Sequence, residues 1–133
     1  MDSRIKDLSA YRFEKAEKTL EMAKRLFEEK EYGFSSNRAY YSAFYAMRAV
    51  NALDGFDSSK HSGVIAHFNR NYVKTERFDA SVSRLIGDAA QLREKSDYED
   101  YYVPPYNEVK TVIITVEQFL GDVRTFLEKK NII

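Results

Sequence analysis

The sequence predicts an all-α protein: four longer helices in a bundle with one additional short helix. Three observations carry the prediction. Apolar residues recur at alternating spacings of three and four over most of the chain, the period of one helix face. No segment survives as a strand candidate. The chain is also one uninterrupted unit of 133 residues, 44% hydrophobic and 32% charged, without an internal repeat. That length fits a single domain, residues 1–133, with one core.

The first helix is expected from about Arg4 to Lys30, because Phe13, Ala16, Leu20, Ala23 and Phe27 share a face. Gly33 is expected to end it, with Ser35 or Ser36 capping the next helix. The second helix, about Ser36 to Asp54, carries a small-residue stripe of Ala39, Ala43, Ala46, Val50 and Leu53 that lets a neighbour approach closely. Gly55 closes it, and the turn-rich Phe56-Asp57-Ser58-Ser59 follows. A short third helix, His61 to about Tyr72, presents Val64, Ile65, Phe68 and Tyr72. The fourth, about Asp79 to Ser96, uses Val82, Leu85, Ile86, Ala89 and Leu92. Pro104-Pro105 separates it from the last helix, where Pro105 is tolerated only in the first turn. There Val109, Ile113, Val116, Leu120, Val123 and Leu127 keep the helical period long enough to override β-branched propensity.

Composition narrows the function classes. With 21 basic and 21 acidic side chains the net charge is zero, which argues against a strongly basic nucleic-acid coat while leaving room for a local patch. The lack of cysteine removes disulfides, thiolate zinc sites and cysteine nucleophiles. Two histidines are too few for a histidine-rich metal centre, and neither a metal nor a cofactor is expected. No apolar run approaches the roughly 20 residues of a membrane span, and the N-terminus lacks a signal-peptide apolar region. A cytoplasmic protein without membrane attachment is the expectation.

Chemistry has two candidate places. On the second helix Arg38, Tyr41, Tyr45 and Arg48 fall within a sector of roughly 80°, nearly opposite the small-residue stripe. Arginine beside tyrosine offers planar donors and stacking faces. The face suits packing against a bundle helix, a protein interface, or a nucleotide or RNA surface. The second place is Leu92 to Tyr102, where Arg93 and Lys95 precede Tyr98, Tyr101 and Tyr102. Arg93 and Tyr98 are about 140° apart on an ideal helix. They meet in one cleft only if the helix ends between them or a second subunit closes the site. Otherwise this is a helix end with an aromatic loop over the core. Lys60-His61 opens the third helix, where a neutral His61 could accept a proton. His67 reads as a helix-surface residue without a partner.

These segments resemble the HEPN domain superfamily, in its small stand-alone prokaryotic branch. Asn37 to Ala46, reading NRAYYSAFYA, is similar to a family segment, and the match continues through Lys60 to Ile65, Phe68, Val73-Lys74-Thr75 and Leu92 to Tyr98. The resemblance implies an up-and-down four-helix bundle, usually a homodimer, paired with a minimal nucleotidyltransferase in a toxin–antitoxin or related defence module. Many members are metal-independent ribonucleases whose signature is Arg, four to six residues, then His. Here Arg93 matches, but after four intervening residues stands Tyr98, and no His follows. Tyrosine ordinarily titrates near 10 and is a poor base at neutral pH. Where some partners attach AMP to a Tyr two residues past the His, this chain has Asp100.

The leading expectation is therefore a dimeric HEPN module that binds a nucleotide or RNA through Arg38, Tyr41, Tyr45, Arg48, Lys60, Arg93 and Tyr98, pairs with a nucleotidyltransferase, and lacks full ribonuclease activity. The alternative is an active endoribonuclease toxin using Arg93 with His61 or a tyrosine such as Tyr98. A ligand-free helical scaffold is the third.

Overall fold

A helix leaves its first backbone N–H groups without partners, and the chain answers this at its second residue. In the computed structural model, which describes residues 1–133, the Asp2 carboxylate accepts the Arg4 N–H at 2.8 Å. From there α1 spans Ser3–Glu28, α2 Tyr32–Asn51, α3 His61–Phe68, α4 Ser81–Tyr98 and α5 Tyr106–Lys129. A 3-10 turn, Ala52–Asp54, prolongs α2, and a π turn, Asn69–Val73, prolongs α3. The regular structure is all helical, four long helices with the short α3 beside them.

The first break differs from the sequence expectation. Gly33 lies inside the first turn of α2 rather than ending α1. Instead Lys30 takes a left-handed φ of 65°, the Lys30 N–H donates to Phe27 O at 3.0 Å, and the Glu31 N–H donates to Leu26 O at 2.9 Å. That is the closure a glycine usually provides. A side chain in this conformation costs about 1–2 kcal/mol, which the packing of α1 against α2 outweighs.

Ser35 and Ser36 are likewise not caps. Ser35 is buried, and its hydroxyl donates across the helix pair to Ala23 O at 2.7 Å. Ser42 donates to Ala16 O at 2.8 Å, and Ser9 donates from α1 to Ala49 O at 2.7 Å. The three bridges advance seven residues at a time in opposite directions on the two helices, the register of an antiparallel pair held on a heptad spacing. Only small side chains fit there: Ala16, Ala23, Ala39, Ala43, Ala46 and Ala49 are all fully buried.

α2 is the centre of the bundle and packs against α1, α3, α4 and α5. Among its residues 35–50, only Asn37, Arg38, Tyr41, Tyr45 and Arg48 escape burial. The other helices bury the stripes their periodicity marks: Phe13, Ala16, Leu20 and Ala23 on α1; Val82, Ile86, Ala89 and Leu92 on α4; and all six α5 positions from Val109 to Leu127. Together with Val64, Phe68 and Tyr72 they form one core.

α3 is tied to the end of α2. The buried Asn51 side-chain amide donates to Val64 O at 3.0 Å. His67 is partnered, contrary to its surface reading: Nε2 lies 2.9 Å from Asp54 Oδ2, and its ring stacks on Phe56 at 4.0 Å. Tyr72, carried inward by the π turn, donates its hydroxyl to the same Asp54 oxygen at 2.7 Å. Those partners sit 11 to 18 residues away and are unreadable from helical periodicity alone.

Candidate functional site

The exposed strip of α2 has its aromatic floor in Tyr40, Tyr41, Phe44 and Tyr45. His61, the first residue of α3, lies on that floor, 4.3 Å from the Phe44 ring centre and edge-on to Tyr41 at 5.6 Å. Tyr40 Oη is 3.1 Å from His61 Nδ1. Burial raises the Tyr40 phenol above its ordinary value, outweighing the Arg93 charge that opposes it, so the hydroxyl keeps its proton. Burial, and behind it the charges of Arg93 and Arg48, lower the His61 imidazole. A phenol that keeps its proton and a neutral imidazole share this contact, and the imidazole tautomer sets which of the two donates.

α4 brings Arg93 to the same floor. Its guanidinium lies 4.9 Å over the Tyr40 ring and 5.6 Å from the Tyr41 centre, with Arg38 at 5.2 Å from Tyr41. Arginine stacks in this way because its planar charge is weakly hydrated. Arg93 Nη1 is 3.5 Å from Asp97 Oδ2, and its buried Nε has no partner. Asn37 links the two ends of the strip: its amide donates to Asp97 Oδ2 at 3.0 Å and its carbonyl accepts Arg38 Nε and Nη2 at 3.0 and 2.8 Å.

Past Phe44 the strip opens into a depression of about 600 Å³, lined by Lys15, Tyr41, Phe44, Tyr45, Arg48 and His61 together with Asp57, Ser58 and Ser59. Lys15 stands 4.5 Å over the Tyr45 ring. Arg48 makes a forked contact to Asp57, Nε to Oδ1 at 3.3 Å and Nη2 to Oδ2 at 2.9 Å. Arg12 reaches the same carboxylate at 3.1 Å and also donates to Arg48 O at 3.3 Å. Burial works to raise the Asp57 carboxyl. Hydrogen bonds from Arg48 and the Ser58 N–H, and the charges of Arg48 and Arg12, prevail and hold it below its ordinary range.

Of the sequence-derived candidates, Arg38, Tyr41, Tyr45, Arg48, His61 and Arg93 share this strip. Lys60 is exposed next to His61, where its backbone precedes α3. Tyr98 stands apart. α4 continues unbroken to Tyr98, so the turn of the helix carries it away from Arg93, and it is 74% exposed. Tyr101, with φ 63°, is fully exposed beyond it. Tyr102 is half-buried, 5.7 Å from Lys95. Helical periodicity missed Tyr40, which sits beside the small-residue stripe and reads as core. It missed Phe44, Lys15, Asn37, Asp97, Arg12 and Asp57 too. The only signal for Tyr40 was its place within the NRAYYSAFYA segment; Arg12 and Asp57 join the strip through α1 and a loop, which no local pattern announces.

The arrangement is rich in donors and stacking faces and poor in free bases. It can hold phosphate oxygens and planar rings. The one imidazole of the strip engages the Tyr40 hydroxyl through Nδ1.

The comparisons agree with this architecture. Residues 9–128 match the family model described as the HEPN domain. A protein of Methanocaldococcus jannaschii named "Putative toxin" is 32% identical over 120 residues, covering 90% of this chain and 82% of the relative. A "UPF0332 protein" of Thermotoga maritima is 32% identical over 114 residues, 86% of each chain. A second M. jannaschii protein also named "Putative toxin" is 32% identical over 114 residues, 86% of this chain and 84% of the relative. A family match over nearly all of the helical bundle, with relatives aligned over most of their own length, makes the assignment plain: the chain belongs to the HEPN domain family.

Proposed function

We propose that this protein is the HEPN member of a toxin–antitoxin or defence-type pair, a homodimer that binds a nucleotide or RNA on the α2 strip and pairs with a minimal nucleotidyltransferase. The observation that carries the binding role is the Arg93 guanidinium, stacked on Tyr40 and Tyr41 with an unpartnered buried Nε. A phosphate or base there meets a pre-oriented charge and aromatic faces at little ordering cost. The toxin names of two relatives support the pairing.

Full ribonuclease activity is not part of the reading. General base work needs a lone pair within reach of the 2′-hydroxyl. Tyr98, in the place of the motif histidine, is exposed, and His61 Nδ1 is engaged with the Tyr40 hydroxyl. One observation favours the second reading, an active endoribonuclease: Arg93 and His61 both contact the Tyr40 ring, at 4.9 and 5.9 Å.

The test is titration of a labelled single-stranded RNA and of ATP into wild type and Arg93→Ala, beside expression of both in cells. Binding by the wild type, weakened about tenfold or more in Arg93→Ala as loss of a charge-assisted contact implies, supports the module. Absence of binding to either probe rejects it. Degraded cellular RNA in wild type but not Arg93→Ala turns the conclusion to the enzyme. Sedimentation at twice 15.5 kDa checks the dimer, and co-purification with a neighbouring nucleotidyltransferase checks the pair.

A further inference from the structure

We infer that Arg12 and Arg48 form a second phosphate subsite for an RNA strand, and that Asp57 occupies this subsite in the free protein as an internal stand-in for the phosphate. The inference rests on the RNA-binding reading of the α2 strip and extends it to the far end of that strip. Two guanidinia converge on one carboxylate, Arg48 by its fork and Arg12 by a single N–H. A phosphodiester presents two non-bridging oxygens in the same way, which is the geometry arginine forks recognise.

The pair of arginines is built without Asp57. Arg12 is held by Arg48 O and its side chain is 12% exposed, against 27% for Arg48 and 50% for Asp57. The two cations are the fixed, sheltered partners, and the carboxylate is the one that water already reaches. Two guanidinia this close repel unless an anion lies between them, so departure of Asp57 requires another anion to take its place. The loop has anchors of its own to remain folded when that happens. Phe56 stacks on His67, and Ser58 seats against Gly63, where an added Cβ would stand 2.5 Å from Ser58 Oγ.

Position selects a strand over a mononucleotide. Arg38 and Arg48 are ten residues apart on α2, about 15 Å along its axis, with Tyr41, Tyr45 and His61 between them. An RNA strand brings phosphates to both ends of that span, whereas AMP, with one phosphate, engages the Arg93 end alone.

Fluorescence anisotropy with a labelled single-stranded RNA 10-mer, and a parallel titration with AMP, test this on wild type, Asp57→Asn and the double variant Asp57→Asn/Arg12→Gln. Asp57→Ser is read alongside, so that one poorly folding variant does not decide the outcome. Removal of a competing, partly exposed carboxylate is expected to tighten RNA binding about threefold to tenfold; Arg12→Gln then cancels the gain, and AMP binding stays unchanged. RNA binding of equal strength in wild type and both Asp57 variants overturns the inference while leaving the RNA-binding reading intact. A gain that survives Arg12→Gln, or an equal gain for AMP, also overturns it. Failure of wild type and every variant to bind RNA removes the underlying reading itself.

Discussion

At His61 the chemistry turns on a single proton. Its imidazole is held below its ordinary value by burial first and by the Arg93 and Arg48 charges second. The unfolded chain therefore takes up a proton near pH 6.5, which the folded chain accepts only at lower pH. Between those values the unfolded state binds more protons, so stability falls as the pH drops through the ordinary imidazole value toward the lowered one. Urea unfolding of wild type and His61→Gln between about pH 7 and pH 5 checks this: the wild type is expected to lose more stability across the window than the variant. Asp57 runs the same way at lower pH. Its carboxyl lies below the ordinary range, and the stability it contributes is lost as acid protonates it. His67 belongs to a different group of residues, with Asp54, Tyr72 and Phe56, and fastens α3 to the end of α2.

For the helices the decisive feature is the α1–α2 seam. Three buried serines bridge it on a seven-residue advance, and the alanines between them let the backbones approach. This is why the Arg/Tyr strip of α2 points outward: the opposite face is fixed by contacts that tolerate no rotation of the helix. Ser42→Ala is expected to cost about 1 kcal/mol, the net worth of one buried hydrogen bond. Ala43→Leu is expected to cost about 1–3 kcal/mol through overpacking. Denaturant unfolding with unchanged m-values measures both. The seam also explains why Ser35 reads as a cap and is not, while Ser36 turns its hydroxyl to Gly33 O and to Ser96 on α4. Serine is favoured at helix starts by local hydrogen bonding, and only the neighbouring helix supplies Ala23 O as the better partner.

Taken whole, the molecule is neutral, and its cations gather locally on the strip that α1, α2 and α4 share. Two of these cations are already engaged by Asp57. Under the proposed binding role, such a strip engages RNA through few phosphates. The affinity for a single strand should fall with salt at a log–log slope of about −2, as roughly three phosphate contacts give. A slope several-fold steeper, measured by anisotropy between low and moderate salt, would point to a broad basic surface instead. No helix is long and apolar enough to cross a membrane.

The helices themselves were legible in the sequence. The stripe from Val109 to Leu127, or that from Phe13 to Ala23, states a period and a buried face, and burial follows because the apolar face has to leave water. The Arg38–Arg48 strip was legible for the same reason: what is left over on a central helix is what faces out. The NRAYYSAFYA segment and Arg93 carried the family. What the tertiary structure alone decided is which distant groups meet. It set Arg93 and His61 both against Tyr40 and Tyr41, put Arg12 and the Asp57 loop against Arg48, and left Tyr98 exposed by continuing α4 two residues beyond Ser96. Periodicity reports the direction of a side chain relative to its own helix axis. Contacts between helices depend on register and approach, which here were set by hydroxyls and methyl groups on the α1–α2 seam, far in sequence from the residues they bring together.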